Sequence, residues 1–295
     1  IFMSTFQYEK GKQYLMPVTF GSAVSPRQDQ FGKRFSTENP IQQESQTVVF
    51  ESDRDQLEAI IPPGFEVHMP YVIVNFDRLN DVYWLAGKSY ALVYVMIPCR
   101  YVGKVDNFVG FYNTVMWEGH PDPLVTGRDQ IAMNKLCGDI TYFKTEGSKM
   151  HGSISNWGFE FMEMDLDLSQ EPEDKETLMK ILTDPENVGI FNYRYLPNCD
   201  KPDEPDVEYA TLTPQVIRDN ISWNPPPDYD PAKIPAPVMQ FCRGTVTWHI
   251  PRWEDMPCQD KIVKKLGGLT VKRYIGAVKT LKYNPNDFLY TRKLR

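Results

Sequence analysis

Runs of β-branched and aromatic residues set the tightest limit on what this chain can fold into. "YVIVNF" (71–76), "SYALVYVMIP" (89–98) and "FVGFYNTVMW" (108–117) favour a pleated surface, and "TVVF" (47–50) reads as a short apolar strand. "FEFMEMDLDL" (159–168) alternates apolar with acidic residues, as a strand with one wet face does, and "TVTWHI" (245–250) sets Val246, Trp248 and Ile250 on one side. Two segments read as helices. One follows Ser52, with Ser52 and Asp55 as a capping pair, and runs through Leu57, Ile60 and Ile61 until Pro62 and Pro63 stop it. The other is "EDKETLMKIL" (173–182), whose acidic start suits the helix dipole. Strand does not alternate with long helix, as a parallel α/β sheet requires. The expectation is an α+β or mainly β fold: an antiparallel sheet or barrel with a few helices.

At 295 residues, 41% of them hydrophobic and 13% aromatic, the chain has material for a large core, and one domain spanning residues 1–295 is the expectation. Residues 1–40 mix glycine, serine and proline with polar residues and read as an irregular arm; Ile1 and Phe2, which precede Met3, are set aside from fold reasoning. "SWNPPPDYDPAKIPAP" (222–237) is dense enough in proline to be an extended surface loop.

A net charge of −7 and the lack of any Lys/Arg-rich run argue against a nucleic-acid partner. No stretch has the roughly 18 consecutive apolar residues of a membrane span, and the N-terminus lacks a basic-then-apolar signal peptide, so a soluble cytoplasmic protein is expected. Cys99, Cys137, Cys199, Cys242 and Cys258 are scattered without a CxxC pair, which suits free thiols. His68, His120, His151 and His249 are isolated from one another, without the spacing of a zinc site, so neither metal nor cofactor is expected. His120 and Cys137 carry no hydrolase signature, and "HGSIS" (151–155) has no Gly-x-Ser-x-Gly elbow.

"GRDQIAMNKLCGDI" (127–140) surrounds Lys135 with Ile131, Ala132, Met133, Leu136 and Cys137. An ammonium has no lone pair with which to attack a carbonyl, and an ordinary lysine is neutral in only about 0.04% of molecules at pH 7. An apolar enclosure favours the uncharged form. The run also resembles the signature of the acetoacetate decarboxylase superfamily: Gly-Arg-Glu, four residues, then Pro-Lys-Lys. Here Gly127, Arg128 and Asp129 are followed at that spacing by Asn134, Lys135 and Leu136. "FESDRDQLEAIIPPGFEV" (50–67), "NYRYLPN" (192–198) and "GGLTVKRYIGAVKTLKY" (267–283) are similar to further family motifs, and together the likeness covers roughly residues 40–285.

The resemblance implies a cone-shaped antiparallel β-barrel, a homo-oligomer, and a lysine at position 135 that forms a Schiff base with a keto substrate; acetoacetate decarboxylases are a standard instance of an activated lysine. It also marks departures. The second lysine of the family is Leu136 here, so burial against Ile131, Met133, Leu136, Met116 and Trp117 has to favour the neutral amine, helped by Arg128 if it lies near. The substrate-facing glutamate falls near Leu85 to Gly87, where no acid occurs; a second acid aligns with Asn75, and the substrate arginine falls near Gln43, beside Glu44. Asn75, Gln43, Leu85, Met116, Trp117, Met133 and Arg128 are therefore the candidate substrate-binding residues around Lys135, with Arg128 and Asp129 also fitting a structural role.

These features lead to a cofactor-free lyase that decarboxylates a larger, more apolar keto substrate, such as a specialised metabolite. The same imine also serves an aldolase or dehydratase, because a protonated imine draws electrons from whichever neighbouring bond breaks. A third reading is a non-covalent barrel that binds a hydrophobic ligand and guides its cyclisation or isomerisation by shape, with Lys135 as donor or bystander.

Overall fold

A computed structural model describes residues 5–33, 41–215, 232, 234–284 and 291–295. Most of the "222–237" loop lies outside the described residues. Residues 5–33 form an irregular segment with one 3-10 turn at Val18–Phe20 and an isolated bridge between Ser25 and Gln28.

The strands are β1 (Ile41–Glu51), β2 (Phe65–Val67), β3 (Tyr71–Val82), β4 (Lys88–Val102), β5 (Asn107–Glu118), β6 (Lys135–Cys137), β7 (Asp139–Glu146), β8 (Lys149–Asn156), β9 (Phe159–Asp167), β10 (Asn187–Pro197), β11 (Pro205–Pro214), β12 (Val238–Trp248), β13 (Arg273–Asn284) and β14 (Arg292–Lys293). They make one sheet in the order β14-β11-β10-β5-β4-β3-β1-β13-β12-β9-β8-β7, with β2 added to β4 and β6 to β5. All pairings are antiparallel except β5 with β10 and β5 with β6. The mainly β architecture with few helices is as expected; the strand path is open, running from β14 to β7 without closing.

Among the described residues four α-helices punctuate the sheet: α1 (Arg54–Glu58), α2 (Pro121–Ile131), α3 (Lys175–Leu182) and α4 (Asp260–Gly267). The α1 cap is Asp53, whose carboxylate accepts from the Asp55 and Gln56 amides, and not Ser52 as the sequence pattern suggests. Helix α2 escapes sequence reading because Pro121 and Pro123 look like breakers. Both fall in its first turn, where backbone N–H groups have no intrahelical partner and proline is tolerated.

Alternation gives β1, β3, β4 and β5 two buried faces. One face carries Val48, Val74, Phe76, Val93, Val95, Val115 and Trp117 and packs against β8, β9 and α4 through Ile154, Phe161, Met162 and Leu266. Trp117 meets Phe161 with ring centroids 5.0 Å apart, and Phe76 meets Phe143 edge-on at 5.3 Å. The opposite face carries Gln43, Asp77, Tyr94, Met116 and Glu118 and borders a cavity of about 90 Å³. Residues of β10, β5, β4, β3, β1 and β13, six consecutive strands, line it. A flat sheet of that width would span roughly 24 Å, so these strands curl around the cavity as in a barrel.

Candidate active site

Lys135 opens β6 and enters the cavity from the loop that ends α2. Ala132 caps the helix in a left-handed conformation (φ 58°), and its amide and that of Met133 both donate to the Gly127 carbonyl, turning the chain back beneath the helix. The Lys135 side chain then passes across Gly127. A Cβ at position 127 would lie 2.5 Å from Lys135 Cε and 2.6 Å from Cδ, so the glycine of the Gly-Arg-Asp run is the space the lysine occupies. Arg128 Nη1 donates to the Lys135 carbonyl at 2.6 Å, and Arg194 donates to the Arg128 and Asp129 carbonyls at the helix end. Arg128 therefore fixes the lysine backbone and does not face the cavity.

A buried amide network holds the other side of this loop. Asn134 Nδ2 donates to the Asn113 carbonyl at 2.7 Å, and Asn192 Oδ1 accepts from Asn113 Nδ2 at 2.8 Å and from the Asn134 amide at 3.3 Å. With the Met116 amide bonded to the Asn134 carbonyl, β6 is registered so that Lys135 lies beside Met116.

The Lys135 Nζ is 2.6 Å from Glu118 Oε1 and donates to the Pro123 carbonyl at 2.9 Å; both charged side chains are almost fully buried, at 6% and 1% exposure. Glu118 Oε2 has no hydrogen-bond partner. Burial lifts the Glu118 carboxyl above its ordinary range, and the neighbouring Lys135 offsets only part of that. Farther along the same wall, buried Asp77 accepts from Tyr94 Oη at 2.7 Å and from Gln43 Nε2, both on Oδ2. Its Oδ1 is without a partner, and burial raises this carboxyl too, against the opposing field of Lys282. Leu79, Leu92, Met116, Ile131, Met133 and Ile190 supply apolar wall, and Pro26 of the N-terminal segment touches the same space.

Of the sequence candidates, Lys135, Gln43, Met116 and Met133 meet at this cavity. Trp117 does not: its neighbours in β5 face the cavity while its indole lies in the core beyond the sheet, donating to Gln259 Oε1 at 2.7 Å. Asn75 shares the face of Asp77 but sits one pair farther along β3, accepting from Thr47 Oγ1 at 2.6 Å outside the cavity lining. Leu85 lies in a separate surface groove with Met16, Phe20 and His120. Sequence reasoning missed Glu118, Asp77 and Lys282, and its picture of a pocket stripped of acids is corrected by the first two. The signal was strand alternation: Met116 selects Glu118 and not Trp117, and Asn75 shares its side with Asp77.

Among the described residues no group of three or more His, Cys, Asp or Glu side chains is arranged to hold a metal ion, and no helix is long and apolar enough to cross a membrane. All five cysteines are free thiols.

The site is thus a buried amine beside a buried carboxyl, enclosed by a curled β-sheet. The acetoacetate decarboxylase family model matches residues 16–223, well over half of the chain, and the chain belongs to that family. It is similar to the acetoacetate decarboxylase of Legionella pneumophila at 17% identity and a TM-score of 0.59, over 89% of this chain and 91% of the other. It is similar to an acetoacetate decarboxylase-like enzyme of Sphingomonas wittichii at 15% identity and a TM-score of 0.58, covering 86% and 92%. MppR, an enduracididine biosynthesis enzyme solved with pyruvate, matches at 13% identity and a TM-score of 0.56, covering 90% and 95%. At these identities the likeness is one of fold. No match is found among curated protein sequences.

Proposed function

We propose that this chain is a cofactor-free lyase in which Lys135 captures a ketone or keto acid as an imine and Glu118 moves the protons. The observation that carries the reading is the 2.6 Å approach of Lys135 Nζ to Glu118 Oε1 inside the cavity. A carboxyl lifted by burial is a better acceptor for the ammonium proton than a solvated one, so transfer to Glu118 frees the amine lone pair. The C–N bond forms as the carbonyl π pair moves to oxygen, which takes the proton back from Glu118. Glu118 then takes a proton from the nitrogen and passes it to the hydroxyl, which leaves as water, so that the iminium stands beside the Glu118 carboxylate.

The fate of the iminium is set by which neighbouring bond breaks. Decarboxylation needs only the electron sink and an apolar enclosure, which Leu92, Met116, Ile131 and Met133 provide. Aldol addition or dehydration begins with removal of an α-proton, which needs a base beside the iminium. Glu118 fills that place, so the geometry favours enamine formation by deprotonation. Decarboxylation of a larger keto acid is the second reading, supported by membership of the family. MppR has also been solved with the condensation product of pyruvate and imidazole 4-carboxaldehyde.

Borohydride reduction in the presence of small ketones and keto acids, followed by mass spectrometry, tests the imine. The expected result is an alkyl adduct on the peptide carrying Lys135, absent from Lys135→Arg. Unimpaired turnover by Lys135→Arg would sink the imine and leave the shape-guided, non-covalent reading. Glu118→Gln is expected to lose roughly 10²–10⁴ in turnover while slow trapping on Lys135 persists. Carbon dioxide release supports decarboxylation; deuterium exchange at the α-carbon supports the deprotonation branch.

A further inference from the structure

The imine chemistry uses one end of the cavity, and the other end is equally built. Asp77 lines the cavity and is 1% exposed; its Oδ2 is held by Tyr94 and Gln43, and its Oδ1 has no partner. Lys282 on β13 lies directly across from Gln43 on β1, lines the same space and forms no ion pair among the described residues. A buried carboxylate oxygen left without a donor is costly, so its retention points to a ligand group that completes it. Tyr94 and Gln43 bind only Oδ2, so Oδ1 is held in a fixed direction.

The ladder gives the separation of the two ends. Asp77 pairs with Leu92, and Leu92 pairs with Glu118, so the two carboxylates stand in one cross-strand row on one face, two strands apart. At ordinary strand spacing that is about 10 Å. The ground between them is apolar: Leu92, Met116 and the ring of Tyr90.

We propose that Asp77 and Lys282 form a second recognition subsite that takes an adjacent hydrogen-bond donor and acceptor on the substrate, the N–H and C=O of an amide or the O–H and C=O of an enolised 1,3-dicarbonyl. Asp77 Oδ1 accepts from the donor and Lys282 donates to the carbonyl. The substrate is then a two-ended molecule: a keto carbon for Lys135 at one end, an apolar spacer of several atoms, and this polar pair at the other. The ketone end rests on the imine reading; the polar end does not. A methyl ester offers no donor to Oδ1, and a hydrocarbon end leaves both groups bare.

Four straight-chain methyl ketones of equal length test this, ending in a primary amide, a 1,3-diketone, a methyl ester or a methyl group. Borohydride trapping on wild-type protein should reach half-maximum at about tenfold lower concentration for the amide or the diketone than for the ester and hydrocarbon. Which of the two leads identifies the source of the pair. Asp77→Leu should erase the preference, bringing the half-maxima of the amide and diketone to those of the ester and hydrocarbon measured on the same variant, and Lys282→Met, at a half-buried position, should lower it in a protein that folds.

The amide-, ester- and methyl-ended compounds with the keto carbonyl replaced by a secondary alcohol cannot form an imine, so their equilibrium binding to wild-type protein reads the subsite alone. An amide preference among these alcohols with no trapping of any ketone would keep the subsite and remove the imine. Trapping with equal half-maxima for all four ends would overturn the subsite and keep the imine. Alcohols that bind without regard to their ends would also overturn it.

Discussion

The two faces of β3, β4 and β5 are equally hidden from solvent and differ in what they leave unfinished. On the face of Val74, Phe76, Val93, Val95 and Trp117, the Trp117 indole N–H is met by Gln259, whose own amide donates to the Cys137 carbonyl at 3.0 Å. On the other face, Asn75 Nδ2, Asp77 Oδ1 and Glu118 Oε2 have no partner. Unpaired buried polar atoms each cost free energy, and apolar residues of similar size would remove that cost. Neighbouring residues of the same strands thus divide into a face that holds the fold together and a face that leaves polar groups without protein partners.

The largest expected effect on stability comes from the first face. Trp117→Ala removes a fully buried indole packed against Phe161 and strands the Gln259 carbonyl, so it should cost about 3–5 kcal/mol in urea unfolding. The folded fraction should still trap a simple ketone on Lys135. If the loss stays below about 1 kcal/mol, or if trapping disappears in protein shown to be folded, the division between faces is wrong.

The second face gives the converse. Gly127 is in α2, where alanine adds up to about 1 kcal/mol of helix propensity. Its Cβ, however, would take the space of the Lys135 side chain, whose flexible end can give way. Gly127→Ala should therefore keep its melting temperature while the rate of trapping on Lys135 falls by about 100-fold, since a shift near 1 Å in a reacting group has that order of effect. Trapping at the wild-type rate would mean that the lysine does not depend on this glycine.

How much of this was readable from residue order depends on which rule was applied. The strands containing "YVIVNF", "SYALVYVMIP" and "FVGFYNTVMW" are evident because β-branched and aromatic content marks them whatever they pack against. Lys135 is evident from its motif. Glu118 is not, because no rule of composition separates a buried acid at a strand end from a solvated one; only its pairing across β5 and β6 brings it to the amine. Taking Met116 and Trp117 together as pocket wall set aside the period of two, which allows only one of them to face the cavity. Helix α4 was hidden because its start has no side-chain cap, and Asp77 because its role depends on Tyr94 and Gln43 from two other strands.

The smallest effect is also the most direct measure of the unfinished face. Burial raises the Asp77 carboxyl above its ordinary 3.8, despite the field of Lys282 from β13 and hydrogen bonds from Tyr94 and Gln43. A raised carboxyl keeps its proton in the folded protein over a range where the unfolded chain has lost it. The folded state then binds more protons, and stability falls as pH rises from about 3.8 through the raised value. Asp77→Asn removes this titration and leaves the other ionisable groups that line the cavity, Tyr90, Tyr94, Glu118, Lys135 and Lys282, in place. Urea unfolding of the two proteins at matched pH should show the variant gaining on wild type across that window and running parallel to it above. A difference that does not vary with pH, or one that favours wild type as pH rises, would mean that Lys282 outweighs burial and that Asp77 stands ionised across the window. In that case Oδ1 would already carry the full charge a donor group needs, and the two faces would differ in electrostatics more sharply than their hydrogen bonding alone requires.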